Sequence, residues 1–272
     1  MIGSCVTIAL VKEIRTGPWI FWDDLEQSMA KASDMGFDAI ELFTSSAAAV
    51  DPNVLKPLLE KFNLKLAAVG TGAGKVLHGL TLTDPSEDVR KQAISFVSGM
   101  IAFGAAFGAP AIIGSMQGNL PHGQDRNQAL RWLAEGLRFL AHQAEEKGVA
   151  LIYEPLNRYE TNLINTLEAG VHFRKTENLR NVKLLADLFH MNIEEADMPA
   201  SIRAHANHIG RVHFADSNRR AVGYGHTEME PIALALQESG YGGFVSAEAF
   251  PLPDPDAAAL QTINAFRQFF RQ

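Results

Sequence analysis

Thiol chemistry is nearly absent from this 272-residue chain, which holds one cysteine, Cys5. A single thiol excludes an intramolecular disulfide and a thiolate metal cluster, and it suits a reducing, cytoplasmic compartment. Long hydrophobic runs are also missing, and nothing approaches the roughly 18 uninterrupted apolar residues of a membrane span. The opening residues, MIGSCVTIALVKEI, carry no basic stretch before a short apolar run, so no signal peptide is expected. Basic residues are outnumbered, 24 Lys and Arg against 31 Asp and Glu, for a formal net charge of -7. Nucleic acids and anionic membranes call for basic surface, so neither is expected as a partner. No Gly-rich dinucleotide fingerprint follows the first apolar run, and no HExxH is present. The segment GTGAGK at 70–75 looks like a phosphate loop, but its first glycine spacing is wrong and Val76 replaces the needed Ser or Thr. It reads instead as a flexible loop over a substrate.

What the chain does contain is alternation. Short β-branched or apolar runs recur at Ser4–Leu10, Ala39–Phe43, Leu64–Val69, Ala111–Gly114, Val149–Glu154, Val182–Asp187, Ile209–His213 and Gly243–Glu248. Segments of helical period separate them. Asp23-Asp24 opens the first helix and Gly36 ends it. Asp84-Pro85, with Glu87 and Asp88 behind, opens the third. A fourth runs from about Asp125 to Lys147 and stops at Gly148. The last, from about Asp256, carries Leu260, Ile263, Phe266, Phe269 and Phe270 as an apolar stripe. Eight strand–helix units without a composition break predict one α/β domain over residues 1–272, closed as a (β/α)8 TIM barrel. A doubly wound open sheet is the weaker alternative, for want of the dinucleotide fingerprint. Two loops, Gly70–Thr83 and Ser115–Gln124, fall after strands three and four, on the catalytic face of such a barrel, and are expected to act as lids.

Four of the apolar runs end on an ionisable residue: Glu154, Asp187, His213 and Glu248. Burying one such group is costly unless it is paired or coordinated. Parallel staves deliver their C-terminal residues to one face, so all four should converge there, and three crowded carboxylates need a positive charge between them. An oxygen-rich set with one imidazole and no sulfur favours Mn²⁺, Mg²⁺ or Co²⁺ over structural zinc. Solvent-facing carboxylates paired with nearby Lys or Arg would explain any one of these residues, but not all four together. Glu41, near the end of the second strand, faces the same site, either to orient it or to stand at its rim. Cys5 reads as a small buried residue, and His205 and His208 as surface residues far from the catalytic end.

The segments YEPLNRYETNLINT, ADLFHMNIEEADMP, HFADSNRRAVGYGH and VSAEAFPLP resemble the xylose-isomerase-like barrel family of sugar isomerases and epimerases, in the branch holding D-tagatose (D-allulose) 3-epimerases and 5-keto-L-gluconate epimerase. The likeness continues through AVGTGAGKVLHGLTLTDPSEDVRKQAI and GAPAIIGSMQG. Residue by residue, the resemblance implies that Glu154, Asp187, His213 and Glu248 bind a divalent metal, Mn²⁺ foremost, with Co²⁺ or Mg²⁺ as alternatives. It further implies that Glu154 and Glu248 form the acid/base pair, and that Glu160, His190 and Arg219 hold the substrate near its carbonyl. Lys75, His78 and residues 117–122 follow no family pattern. The implied activity is inversion of the carbon next to the ketone of a ketose or keto-sugar acid, by a homodimer or homotetramer. The rival is an aldose–ketose or hydroxypyruvate isomerase using the same residues. A related endonuclease would need more histidine ligands and a basic face, and a non-catalytic sugar sensor would not need the intact quartet.

Overall fold

The computed structural model describes residues 1–14, 16–22, 24–120 and 122–271. Along the chain come β1 (Gly3–Leu10), β2 (Phe21–Trp22), α1 (Leu25–Met35), β3 (Ala39–Thr44), α2 (Pro52–Lys61), β4 (Lys65–Gly70), α3 (Ala73–His78), α4 (Glu87–Ala105), β5 (Ala111–Ile113) and α5 (Arg126–Glu146). They continue as β6 (Leu151–Tyr153), α6 (Leu167–Thr176), β7 (Val182–Asp187), α7 (Leu188–Glu194), α8 (Met198–His205), β8 (Ile209–His213), α9 (Met229–Glu238), β9 (Phe244–Ala247) and α10 (Pro255–Phe270). The strands pair in parallel in the order β1-β3-β4-β5-β6-β7-β8-β9, and β9 returns to β1 through Gly3↔Phe244 to Val6↔Ala247. Eight staves thus close a (β/α)8 barrel, the expected fold. The short β2 adds to the upper part of β1, through Ile8↔Phe21 and Ala9↔Trp22, above the point where β9 departs.

Alternation along each stave sorts its side chains. One set points outward: Val6, Ile40, Leu42, Tyr153, Leu184 and Val212 pack with helix residues such as Met29, Leu55, Val97, Leu137 and Phe266 in the main core. The other set fills the barrel. Ala68, Ile112, Ile152 and Leu185 form one inner layer, and Cys5, Ala39 and Ala67, backed by Phe244, form another. Two residues beyond Ile152 and Leu185 on the same inward period stand Glu154 and Asp187. The inward alternation therefore carries ionisable groups to the C-terminal mouth.

Most helix signals behave as expected. Asp24 accepts from the Gln27 amide at the start of α1, and Gly36 ends it at φ 85°; Asp23 lies outside the described residues. Asp125 caps α5 and Asp254 caps α10. The third opening differs. Asp84 accepts from the Ser86 amide in a turn, and α4 begins only at Glu87, with Ser86 as its N-cap. Leu260 departs from the expected stripe, being 50% exposed, while Ala258, Ala259 and Thr262 pack inward beside Ile263 and Phe266. Two segments expected as loops are partly ordered: α3 occupies Ala73–His78, and Ser115–Gln117 forms a single 3-10 turn. His205 and His208 are half-buried rather than fully exposed, and the His208 ring lies 2.6 Å from the Arg174 guanidinium.

Candidate active site

Register brings the strand-end residues together. Asp187 pairs directly with His213, and His213 with Ser246, two residues before Glu248. Tyr153 pairs with Leu184, and Glu154 leaves β6 with its amide bonded to the Ile113 carbonyl. The result is a cluster in which one donor atom each from Glu154, Asp187, His213 and Glu248 lie within 4.8 Å of one another. His213 Nδ1 is the hub, 3.1 Å from Asp187 Oδ2, 3.2 Å from Glu248 Oε2 and 3.4 Å from Glu154 Oε1. All four expected ligands therefore meet.

The electrostatics of the cluster follow from burial. Burial pushes the Glu154 carboxyl up to about 8, against the pull of His213 and with the help of the neighbouring carboxylates. Burial works the same way on Asp187, but Arg219, His190 and His213 overcome it and hold that group far below the usual carboxylate range. Burial would neutralise His213, yet Glu248, Glu41, Asp187 and Glu154 keep its proton affinity well above the ordinary imidazole value. Glu154 Oε1 is buried without a hydrogen-bond partner among the described residues. Three carboxylates, one imidazole and an unsatisfied oxygen aimed into their midst fit a divalent cation held by oxygen and nitrogen.

The three residues expected to hold substrate surround this cluster. His190 follows β7 on α7, buried, with Nε2 at 3.8 Å from both Asp187 Oδ2 and Glu154 Oε1. Asn157 Nδ2 donates to Glu160 Oε1 at 3.0 Å and lies 2.7 Å from His190 Nδ1, linking the two. Glu160 is the most exposed of the three, its side chain 47% accessible. Arg219 comes from the loop after β8, with φ at 58°, and its guanidinium reaches both Asp187 Oδ2 at 3.3 Å and Glu248 Oε2. Asp216 holds that loop by accepting main-chain N–H bonds from Ser217, Gly223 and Thr227.

Several contributors stand outside the expected ligand and substrate-holding sets. Glu41 lies deep in the site, Oε1 at 3.2 Å from His213 Nε2, and so orients rather than rims it. Gln117 is fully buried; its amide donates to the carbonyls of Glu154 and Gly114 and its oxygen accepts from the Tyr153 hydroxyl at 2.6 Å. A Cβ at Gly114 would stand 2.4 Å from Glu154 Oε2, so any other residue there would displace that carboxylate. Trp19 stacks on Phe43, ring centroids 4.0 Å apart, and both line a cavity of about 440 Å³ above the cluster. Phe189, Leu156, Phe250 and Val76 are among its other apolar lining residues, and Arg219 is the one Lys or Arg among its described lining residues. Lys75 and His78 do not line it.

Known proteins share both fold and sequence. The chain is 31% identical over 239 residues to a D-psicose 3-epimerase of Ruminiclostridium cellulolyticum, covering 84% of this chain and 80% of that protein. It is 32% identical over 234 residues to an L-ribulose 3-epimerase of Mesorhizobium japonicum, covering 84% and 76%. The structure of D-psicose 3-epimerase with D-tagatose from Clostridium cellulolyticum H10 superposes with a TM-score of 0.81 at 25% identity, covering 98% and 99%. A family model described as a xylose isomerase-like TIM barrel matches residues 29–269. With the closed eight-stave barrel and these relatives, that match places the chain in the xylose isomerase-like TIM barrel family.

Proposed function

We propose that this protein is a divalent-metal-dependent epimerase that inverts C3, the carbon next to the ketone, of a ketose or keto-sugar acid. The observation that carries the reading is the quartet at the mouth, three of its members buried and Glu248 half-buried, in which two glutamates flank one imidazole and one aspartate. The 3-epimerase names of the relatives support it. Glu154, Asp187, His213 and Glu248 would hold the ion, Mn²⁺ foremost with Co²⁺ or Mg²⁺ as alternatives, and when bound it acts as a Lewis acid on the sugar's oxygens.

The chain's own residues do the rest. A C3–H bond beside a ketone is too weakly acidic to break unless the growing charge on O2 is met by preorganised donors. His190 and Arg219 donate to that oxygen, and Glu160 holds a neighbouring hydroxyl. Either Glu154 or Glu248 removes the C3 proton, and the resulting enediolate takes a proton on its opposite face from the other glutamate. Two carboxylates that each serve as acid or base make the reaction reversible. With Arg219 as the one Lys or Arg among the described lining residues, the cavity suits a non-phosphorylated sugar, since phosphate recruits several cationic or main-chain donors. Apolar walls above the cluster would pack the far end of the sugar. The enzyme works in the cytoplasm as a single-domain chain in a homodimer or homotetramer.

The test is turnover in D2O with D-psicose and L-ribulose, with Mn²⁺ added. Deuterium at C3 is expected, whereas deuterium confined to C1 identifies a 1,2-isomerase and overturns the proposal. E154Q and E248Q should each lose at least about a thousandfold in kcat, and activity retained in either would refute the two-base scheme.

A further inference from the structure

Glu41 belongs to β3 and His213 to β8, with β9 and β1 standing between those staves in the sheet. Their side chains meet across the barrel interior, Glu41 Oε1 lying 3.2 Å from His213 Nε2. Both side chains are nearly inaccessible, at 6% and 2%. The other ring nitrogen, Nδ1, is the one that the three carboxylates of the quartet surround.

A neutral imidazole carries one proton, and only its unprotonated nitrogen offers a lone pair to a cation. An ionised carboxylate can accept but not donate, so a Glu41–His213 hydrogen bond requires the proton on Nε2. We infer that Glu41 is a positioning residue that pins the His213 proton on Nε2, turning the Nδ1 lone pair toward the quartet and fixing the ring plane. Glu41 is suited to this. Its backbone is locked by register between Thr7 and Ala68, and its second oxygen, Oε2, is buried with no hydrogen-bond partner among the described residues, of which His213 is the one that holds its carboxylate. Outer carboxylates of this kind raise the basicity of a metal-binding imidazole, and their loss typically weakens metal binding 10- to 100-fold. The inference rests on the reading of Glu154, Asp187, His213 and Glu248 as the ligands.

Mn²⁺ titrated without sugar into the metal-stripped full chain, with free ion read by its EPR signal, tests it. E41A should bind Mn²⁺ about 10- to 100-fold more weakly than the wild type. E41Q keeps an accepting oxygen and should stay within about threefold. In the metal-free protein, at a pH high enough to leave the ring neutral, long-range ¹H–¹⁵N spectra should place the His213 proton on Nε2 in the wild type and in E41Q, but not solely there in E41A. A purely structural role would leave that tautomer unmoved. Wild-type affinity in E41A, an E41Q loss as large as that of E41A, or a wild-type proton on Nδ1 would each overturn the role of Glu41. Should E41A fail to fold, the wild-type tautomer decides alone. A wild type that ignores Mn²⁺ altogether overturns the ligand reading instead, so the two failures are distinguishable.

Discussion

At the scale of single residues, the site depends as much on what is small as on what is charged. Gly114 leaves room for the Glu154 carboxylate, and a methyl there would sit 2.4 Å from Oε2. Gly114→Ala should therefore cut kcat roughly 100-fold, by displacing a proposed proton-transfer group, while circular dichroism shows the fold intact. Arg219→Ala removes donors but no proposed acid or base, so activity should fall roughly 10- to 1000-fold, short of the loss in the glutamine variants; an equal loss would give Arg219 a larger part. The four clustered residues were legible because each ends an apolar run, where an ionisable group has no reason to be buried alone. Gly114 and Gln117 carry no such mark, and the place of Glu41 near the end of its strand leaves open whether it orients the site or rims it. The partners that give them meaning lie far off in sequence, 37 residues for Gln117 with Glu154 and 172 for Glu41 with His213.

Between residue and fold come the loops and short elements that aim the side chains. The loop after β8 is tied to one carboxylate. Burial would raise the Asp216 carboxyl, but main-chain amides of Thr227, Ser217, Gly223 and Gly225 outweigh it and hold the group below its ordinary value. A depressed folded value means that this contribution to stability is full above the unfolded pKa of about 3.9 and is lost as pH falls through the folded value. Denaturant titrations should thus show wild type ahead of Asp216→Asn by a constant margin above about pH 5, shrinking below about pH 4. A margin that stays flat into acid would show that shape, not charge, holds the loop. Two neighbouring elements escaped the sequence reading for physical reasons. The two-residue β2 is too short to show a period. Around α3, the glycines of GTGAGK at 70, 72 and 74 suggested flexibility, but a Cβ at Gly74 would meet Met116 and Phe96 within 3.0 Å. That glycine permits close packing, and packing overrode weak helix propensity.

For the molecule as a whole, the proposed ligands come from or just beyond four consecutive staves, β6 to β9, so a bound ion would cross-link half the barrel. A ligand that binds only the folded chain adds about 2.7 kcal/mol at a hundred times its Kd, or roughly 5–10 °C in Tm for a chain of this size. Scanning calorimetry with Mn²⁺ and then EDTA should show that shift and its reversal, and an unchanged Tm would speak against a tight site. The barrel itself was the most legible feature, since eight repeats of one pattern constrain closure more than any single boundary does. Individual boundaries drifted by a few residues, as at α4, where a side-chain turn at Asp84 competes with the cap at Ser86.

The stacked pair of Trp19 and Phe43 belongs to the opposite half of the barrel from the proposed ligands, on chain segments that contribute none of the quartet. On the proposed reading, this part of the sugar's surroundings stands apart in the chain from the acid/base pair. Mutations near the start can retune which ketose is taken without touching the acid/base pair, so this scaffold can diversify its diet while its chemistry stays put. Trp19→Ala should accordingly reorder KM among a panel of ketoses far more than it lowers kcat for any of them.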